Sequence, residues 1–189
     1  MRSNAVEAFQ TTALILGSAV LFAGFFLLND WLFSKIAYSE GVNWIFLPAG
    51  FRVILILVLG LQGALGIMLG SLLISQDLFQ EGLGHLALLN AMVSGFTPWM
   101  VMKVLENRHQ LNRHLQQLSS QQLLNFTLIY AALNALAHQA IWLMIGLRDV
   151  NIWVDIWPMF IGDVLGALIM LYGMKWVIGR LPIAPRSDA

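Results

Sequence analysis

The stretch that decides the fold is WIFLPAGFRVILILVLGLQGALGIMLGSLLIS, residues 44–75, in which Arg52 is the only charged residue. A membrane-spanning helix needs about 20 apolar residues, so this tract is too long for one helix and short for two. Gly60-Leu61-Gln62-Gly63 lies near its middle, and glycine next to a polar residue interrupts helices. We therefore predict a tight helical hairpin with two short arms. One long tilted helix is the alternative.

Four further apolar segments flank this tract on both sides. They cover about Thr12 to Phe33, His85 to Leu105, Leu123 to Leu147 and Trp153 to Ile178. The prediction is an all-α polytopic integral membrane protein with about six transmembrane helices, the short glycine-broken hairpin included. Residues 1–180 would form a single transmembrane domain, and residues 181–189 a disordered cytoplasmic tail. The one-helix alternative would give five spans and place the termini on opposite sides.

The composition supports a membrane protein and excludes several other classes. Of 189 residues, 59% are apolar and only 11% are charged, against roughly 25% charged in soluble domains. A soluble chain of this length could not hide that much apolar surface. The ten basic and ten acidic residues cancel, which argues against a nucleic-acid partner. The absence of cysteine excludes disulfides, iron–sulfur clusters and thiolate zinc sites.

The charge distribution predicts the orientation. With six spans and both termini inside, seven of the ten basic residues lie on the cytoplasmic side, as the positive-inside rule favours; these are Arg2, Lys103, Arg108, Arg113, Lys175, Arg180 and Arg186. Four tryptophans fall near the predicted outer ends, as in an aromatic belt; these are Trp31, Trp44, Trp153 and Trp157. We therefore expect a multi-pass protein of a bacterial inner (cytoplasmic) membrane with both termini cytoplasmic.

Four polar residues inside the predicted spans form the candidate ligand-binding site. Arg52, His138 and Asp163 lie at comparable predicted depth, and Asn134 is one turn from His138 on the same helix face. An isolated charge in the bilayer costs about 2.5–3.5 kcal/mol on insertion scales. A paired Arg52 and Asp163 would satisfy each other. We therefore expect the four side chains to share one polar pocket in the outer half of the membrane.

Each of these residues also has a purely structural interpretation. The Arg52–Asp163 pair could only fix helix packing, and His138 could be a hydrogen-bonded packing residue. The lack of paired histidines at ligand spacing argues against a metal site, although axial ligation of a haem or chlorophyll by His138 or His85 is a weaker alternative. No G-x-S-x-G, H-E-x-x-H, Walker or Rossmann motif is present. The prediction is therefore a protein that is not an enzyme and has no cofactor.

Two glycine patterns and one polar stretch suggest contacts. Gly66–Gly70 and Gly162–Gly166 are GxxxG patterns, which let helix backbones approach closely. The second pattern brackets Asp163 and should bring another helix near it. The polar stretch Glu106–Gln122 carries Leu111, Leu115 and Leu118 at helical spacing, which predicts that the fourth and fifth helices extend into the cytoplasm. That hairpin is either a solvated connection or a docking surface for a partner.

The chain also resembles a known family over roughly residues 10–180. The element Trp44-Ile-Phe-Leu-Pro48-Ala49-Gly50, the break at Gly60, and Leu69-Gly70-Ser71-Leu72-Leu73 are similar to the opening of the first class of bacterial membrane-associated sensor (MASE) domains. Trp153, Trp157 and Gly162-Asp163-Val164-Leu165-Gly166 resemble its closing helix, and Asn90 suits its pattern. The resemblance implies a sensory module of several spans, here standalone without an output domain.

Three functions remain open from the sequence. The first is a membrane-embedded sensory or ligand-binding module that acts through a partner protein in the membrane or the cytoplasm. The second is the substrate-binding membrane subunit of a transporter. The third is an accessory or structural subunit of a larger membrane complex. The lipid bilayer is an expected partner in all three.

Overall fold

The computed structural model describes residues 2–39, 42–111, 118–146, 151–178 and 180. Over this part of the chain it has seven α-helices, one 3₁₀ turn at Ser34–Ile36 and one short antiparallel pair of strands. The helices are α1 Arg2–Phe33, α2 Leu47–Leu59, α3 Leu61–Ile74, α4 Gln76–Gln80, α5 Gly84–Asn107, α6 Ser120–Ile145 and α7 Ile152–Ile178. The strands are β1 Ala37–Ser39 and β2 Val42–Asn43. The predicted tail, residues 181–189, lies outside the described residues.

The central apolar tract folds into two helices, which confirms the predicted hairpin. Gly60 separates α2 from α3 with a φ of 57°, a conformation that glycine adopts without the steric cost of a Cβ. Gly63 then packs against the backbone carbonyl of Leu55. In one continuous helix these two residues would lie about 12 Å apart along the axis. The chain therefore reverses at Gly60, and the alternative of a single long helix is wrong.

Four of the helices are long and apolar enough to cross a membrane. They cover Ala5–Ile36, Gly84–Asn107, Ser120–Ile145 and Ile152–Met174. The hairpin arms contain only 13 and 14 residues, which corresponds to about 20 Å each, against a hydrocarbon core of roughly 30 Å. The structure therefore shows four span-capable helices and two short apolar ones, not six full-length spans.

The short arms are packed among the long helices. The first arm, α2, contacts α7, α1 and α5, and the second arm, α3, lies against α1 and α5. A buried cluster joins them to the rest of the bundle; its large members include Phe22, Val53, Ile56, Ile67, Phe126 and Tyr130. Because both arms are enclosed on several sides, they need not reach both membrane surfaces to bury their apolar side chains.

A buried asparagine on α1 caps the start of α2. Asn29 is 1% exposed, and its Oδ1 accepts a hydrogen bond of 2.8 Å from the backbone N–H of Leu47. The first N–H groups of a helix have no partner within the helix, so this carbonyl satisfies one of them from a neighbouring element. Asn29 thereby ties the end of the first long helix to the beginning of the hairpin.

The connection between α5 and α6 differs from the sequence prediction. Helix α5 ends at Asn107, and His109 adopts a positive φ of 56°. Helix α6 starts at Ser120 behind a capping box formed by Ser119 and Gln122, which is a strong helix-start signal. The predicted helical extension is therefore present only to Asn107 and from Ser120, and residues 108–111 and 118–119 are not helical. Leu111 is buried and Leu118 packs against the central cluster, whereas Leu115 lies outside the described residues.

Candidate functional site

The helices enclose a polar cavity of about 580 Å³, which we call the central cavity. Every helix from α1 to α7 contributes to its wall, together with the segment before α2. Its polar lining consists of Asn43, Arg52, Ser71, Ser75, Asp77, Glu81, Asn90, Ser94, His138 and Asp163. Its apolar lining consists of Phe26, Phe46, Ile74, Leu78, Leu83, Leu86, Trp142 and Met159. The volume falls within the range of about 300–1,000 Å³ that is usual for small-molecule sites.

Three of the four predicted site residues line this cavity. Arg52, His138 and Asp163 are at most 5% exposed, yet all three face the same space. Asn134 is fully buried and does not line the cavity. Its side-chain Nδ2 donates a hydrogen bond of 2.7 Å to Oδ2 of Asp163. Asn134 therefore positions the carboxylate of Asp163 without itself lining the cavity.

Arg52 is held by neutral groups and aromatic rings. Its Nη1 donates to the hydroxyl of Tyr130 and its Nη2 to the hydroxyl of Ser94, both at 3.1 Å. The rings of Phe22 and Phe46 lie 5.2 and 5.1 Å from the guanidinium carbon, within cation–π range. The Nε atom is buried without a hydrogen-bond partner. The guanidinium is thus anchored in position without a direct ion pair.

The expected Arg52–Asp163 ion pair does not form. The guanidinium of Arg52 and the carboxylate of Asp163 do not come within 4.0 Å of each other, unlike Lys103 and Glu106, which form an ion pair at 3.0 Å. Similar depth along two helices fixes only the height of each side chain, and the direction around the helix axis decides which groups meet. Arg52 points to hydroxyls of α5 and α6, and Asp163 points to Asn134. The two opposite charges therefore share a cavity without contact.

His138 is fixed by the backbone of its own helix. Its Nδ1 lies 3.0 Å from the carbonyl oxygen of Asn134, and because a carbonyl can only accept, Nδ1 carries a proton. The ring packs edge-on against Trp142, with centroids 6.1 Å apart. This geometry matches the packing interpretation of His138, while the position of the ring on the cavity wall also lets it contact a bound molecule.

Sequence reasoning missed several polar members of the wall. Asn90 and Ser94 lie one turn apart on α5, so their spacing on one helix face was an available signal. Asn90 accepts a hydrogen bond of 3.3 Å from the indole of Trp142. Tyr130 gave no signal, since a single hydroxyl in an apolar helix is common. Asp77 on α4 and Glu81 just after it also line the cavity, and both are solvent-exposed.

The two glycine patterns receive different partners. Gly66 and Gly70 lie against the backbone of α1 around Ser18 and Ala19. Gly162 and Gly166 lie against the backbone carbonyls of Asn43 and Phe46. A second helix, α6, does lie close to Asp163 through Asn134, but the neighbour of the two glycines themselves is the non-helical segment that leads into α2. The backbone N–H of Phe46 donates a 3.1 Å hydrogen bond to the carbonyl of Gly162.

Within the described ranges, no three histidine or carboxylate side chains come together in a way that could hold a metal ion. Comparison with known proteins adds no assignment: no protein-family model, curated protein or solved structure matches this chain. The geometry of the central cavity is therefore the basis for the proposed function.

Proposed function

We propose that this chain is a multi-pass membrane protein that binds a small polar molecule in the central cavity and acts through a partner protein. The observation that carries the proposal is the state of Arg52 and Asp163. Both charges are almost fully buried, both line one cavity, and neither is neutralised by direct contact with the other. Such charges are expensive inside a membrane, so a role in binding accounts for their presence better than packing does.

The surface of the bundle fits a lipid environment. Large apolar side chains are exposed along the long helices, among them Leu16, Val20, Leu133 and Ile169. Trp31 and Trp153 are 78% and 85% exposed near helix ends that the sequence assigns to the outer membrane surface. The proposed location is the inner membrane of a bacterium.

The proposed orientation places both termini in the cytoplasm and the α4 end of the cavity on the outer side. Lys103 and Arg108 then lie at the cytoplasmic end of α5, opposite Asp77 and Glu81 near its other end. Reporter fusions at Ala189 and after Arg113 should both give cytoplasmic readings. A periplasmic reading at Ala189 would contradict this orientation.

A sensory role is the proposed use of the bound molecule. The resemblance to the first MASE class favours it, and the α5–α6 connection is the proposed partner surface on the cytoplasmic side. On this proposal, occupancy of the cavity shifts the helices that line it, and the shift reaches the partner through the ends of α5 and α6.

The binding proposal can be tested with the purified protein in detergent. Amines, carboxylic acids, amino acids, sugars and nucleosides are screened for an increase in unfolding temperature. A ligand at 100 times its Kd stabilises by about 2.7 kcal/mol, which is roughly 5–10 °C for a chain of this size. The change Asn90→Leu should abolish the increase, because Asn90 lines the cavity. Asn125→Leu, at an exposed asparagine of α6, is the matched control.

Two results would contradict binding in the central cavity. One is a screen in which no molecule stabilises the wild-type protein. The other is stabilisation that Asn90→Leu leaves unchanged.

Purification of the tagged chain from its own membranes tests the partner. The proposal predicts a co-purifying protein whose association changes when the stabilising molecule is added. A stoichiometric partner that does not respond would favour the alternative of an accessory or structural subunit.

A further inference from the structure

Building on the proposed function, we propose that the ligand is a small zwitterion with one ammonium group, one carboxylate and an apolar side chain. This is the chemistry of a large apolar amino acid. The inference follows from the arrangement of opposite charges and apolar side chains around the central cavity.

The buried charges of the cavity favour a ligand that carries both signs. Arg52 and Asp163 are 5% and 1% exposed and sum to zero charge. A purely cationic or purely anionic ligand would leave one net charge in this weakly solvated space, at a cost. A zwitterion leaves none and can complement both groups at once, because they lie apart on the same cavity wall.

Asp163 presents the acceptor for the ammonium group. Its Oδ2 takes the hydrogen bond from Asn134. Its Oδ1 has no hydrogen-bond partner among the described residues, although the residue lines the cavity. An ionised carboxylate accepts about four hydrogen bonds, so Asp163 has the capacity to bind an ammonium group without giving up Asn134.

Arg52 presents the donors for the carboxylate. A guanidinium has five N–H donors in a planar fork, and only two of its hydrogen bonds are to protein groups, Tyr130 and Ser94. These partners are neutral hydroxyls, so they orient the fork without forming a direct ion pair with it. Carboxylates bind such a fork through two parallel hydrogen bonds, which neutral ligands cannot match.

The remaining wall suits an apolar side chain. Leu78, Leu83, Leu86 and Met159 line the cavity together with Trp142, and they belong to a second apolar cluster of the fold. This wall lies at the α4 side of the cavity. A side chain placed there would bury apolar surface while the two charged groups of the ligand face Arg52 and Asp163.

The exposed rim makes a simple amine the main competing ligand. Asp77 and Glu81 lie at the open end of the cavity and are solvent-exposed. They attract cations of every kind, but water and salt screen their charge. The buried Arg52 opposes binding of an amine that lacks a carboxylate. The contribution of the carboxylate is therefore the decisive measurement.

The experiment compares each amino acid with analogues of the same shape that lack one charged group. For leucine these are 3-methylbutylamine and 4-methylpentanoate, and for phenylalanine they are phenethylamine and 3-phenylpropanoate. Each compound is titrated against the wild-type protein in detergent, with unfolding temperature as the readout and Asn90→Leu as the control for binding to the micelle. At least one amino acid should bind about tenfold or more tightly than both of its analogues, since each lost charge-assisted hydrogen bond costs at least that factor.

Two variants assign the two ends of the ligand. Asp163→Asn should reduce the preference for the amino acid over its deaminated analogue. Arg52→Lys keeps the charge but loses the fork, and it should reduce the preference for the amino acid over its decarboxylated analogue. Arg108→Lys, at an exposed arginine, should change neither preference. If a variant fails to fold, the wild-type comparison alone still decides the proposal.

The outcomes separate this inference from the proposed function. Amine binding equal to that of the amino acid would overturn the zwitterion, as would equal binding of the acid. Binding of another compound from the wider screen, with no response to either amino acid, would also overturn it while leaving the proposed function intact. If nothing binds in the screen, both proposals fail.

Discussion

The two GxxxG patterns have the same spacing and serve different purposes. At Gly66 and Gly70, helix α3 lies directly on the backbone of α1. At Gly162 and Gly166, helix α7 holds the extended segment that ends at Leu47. Small residues four apart therefore allow a close approach, but they do not determine whether a helix or a non-helical segment makes it.

The second contact is the one that builds the central cavity. Phe46 donates its N–H to Gly162 and places its ring 5.1 Å from the guanidinium carbon of Arg52. Asp163 follows Gly162 directly in sequence. The first contact packs α3 on α1, where Gly70 also lies against the ring of Phe22, which faces the guanidinium of Arg52. Both glycine patterns therefore border the site, the second through the backbone next to Asp163 and the first through Phe22.

The largest effect is expected from a methyl group at the second pattern. In Gly166→Ala the new Cβ would overlap the carbonyl of Phe46. That backbone has little freedom to move, because the N–H of Phe46 is hydrogen-bonded to Gly162 and the N–H of Leu47 is hydrogen-bonded to Asn29. We expect a loss of about 3 kcal/mol or more in the free energy of unfolding, measured by SDS titration in mixed micelles. Gly173→Ala on the same helix has open space and should be close to neutral.

A smaller loss is expected at the first pattern. In Gly66→Ala the Cβ would meet Ser18 and the carbonyl of Ile15 on α1. Helix α1 is exposed along much of its length, so it can shift outward as a unit. The same titration should give a loss of about 1–2 kcal/mol, with Gly17→Ala as the control in open space. A loss equal to that of Gly166→Ala would show that the kind of neighbour does not matter.

The capping contact between the two regions should matter less again. Asn29→Ala removes the acceptor for the N–H of Leu47, and loss of a helix cap costs about 1 kcal/mol. Asn29→Asp retains an oxygen acceptor and should recover the cap only in part, because the added charge is buried. The loss in Asn29→Ala should add to that in Gly66→Ala but not to that in Gly166→Ala, since only the latter shares the Leu47 segment.

The smallest effect concerns the strand pair that precedes the segment. The hydroxyl of Tyr38 donates a 3.1 Å hydrogen bond to Asp155, and this bond, with burial and the negative charge of Asp155, raises the pKa of Tyr38 above 10.0. A group with a raised pKa stabilises the fold below its unfolded pKa and loses that contribution as pH rises through the folded pKa. The difference in unfolding temperature between wild type and Tyr38→Phe should therefore be present at pH 8, begin to decrease near pH 10 and be lost only above the raised pKa of the folded state. Tyr172→Phe, at an exposed tyrosine of α7, is the control.

The hairpin could be predicted because its signals are local. The length of the apolar tract and the glycines around residue 60 determine a reversal regardless of what surrounds it. The length of the helical extension at the α5–α6 connection was overestimated for the opposite reason. Leucines at helical spacing favour a helix, but Leu111 and Leu118 gain more by packing on the central cluster than a solvated helix would provide.

In the candidate site, too, some features could be predicted from the sequence, whereas others depend on how the helices pack. The cost of a charge in a membrane was enough to select Arg52, His138 and Asp163 as members of one cavity. Their partners depended on rotation about each helix axis, which spacing within one segment does not determine. The hydrogen bonds from Arg52 to Tyr130 and from Asn134 to Asp163 could therefore be identified only from the three-dimensional structure.

The shortness of the hairpin arms has a consequence for biogenesis. An arm of about 20 Å cannot span a bilayer of roughly 30 Å alone, and α2 carries a buried arginine. On the proposed membrane location, only α1 of the long helices that enclose the arms has been made when the arms leave the translocon, because α5 and α7 follow later in the chain. We therefore expect the hairpin to pack first against α1, through Gly66 and Gly70, and to contact the C-terminal helices only after these have been synthesised. Assembly of the central cavity would then be completed only when α7 packs against the segment before α2.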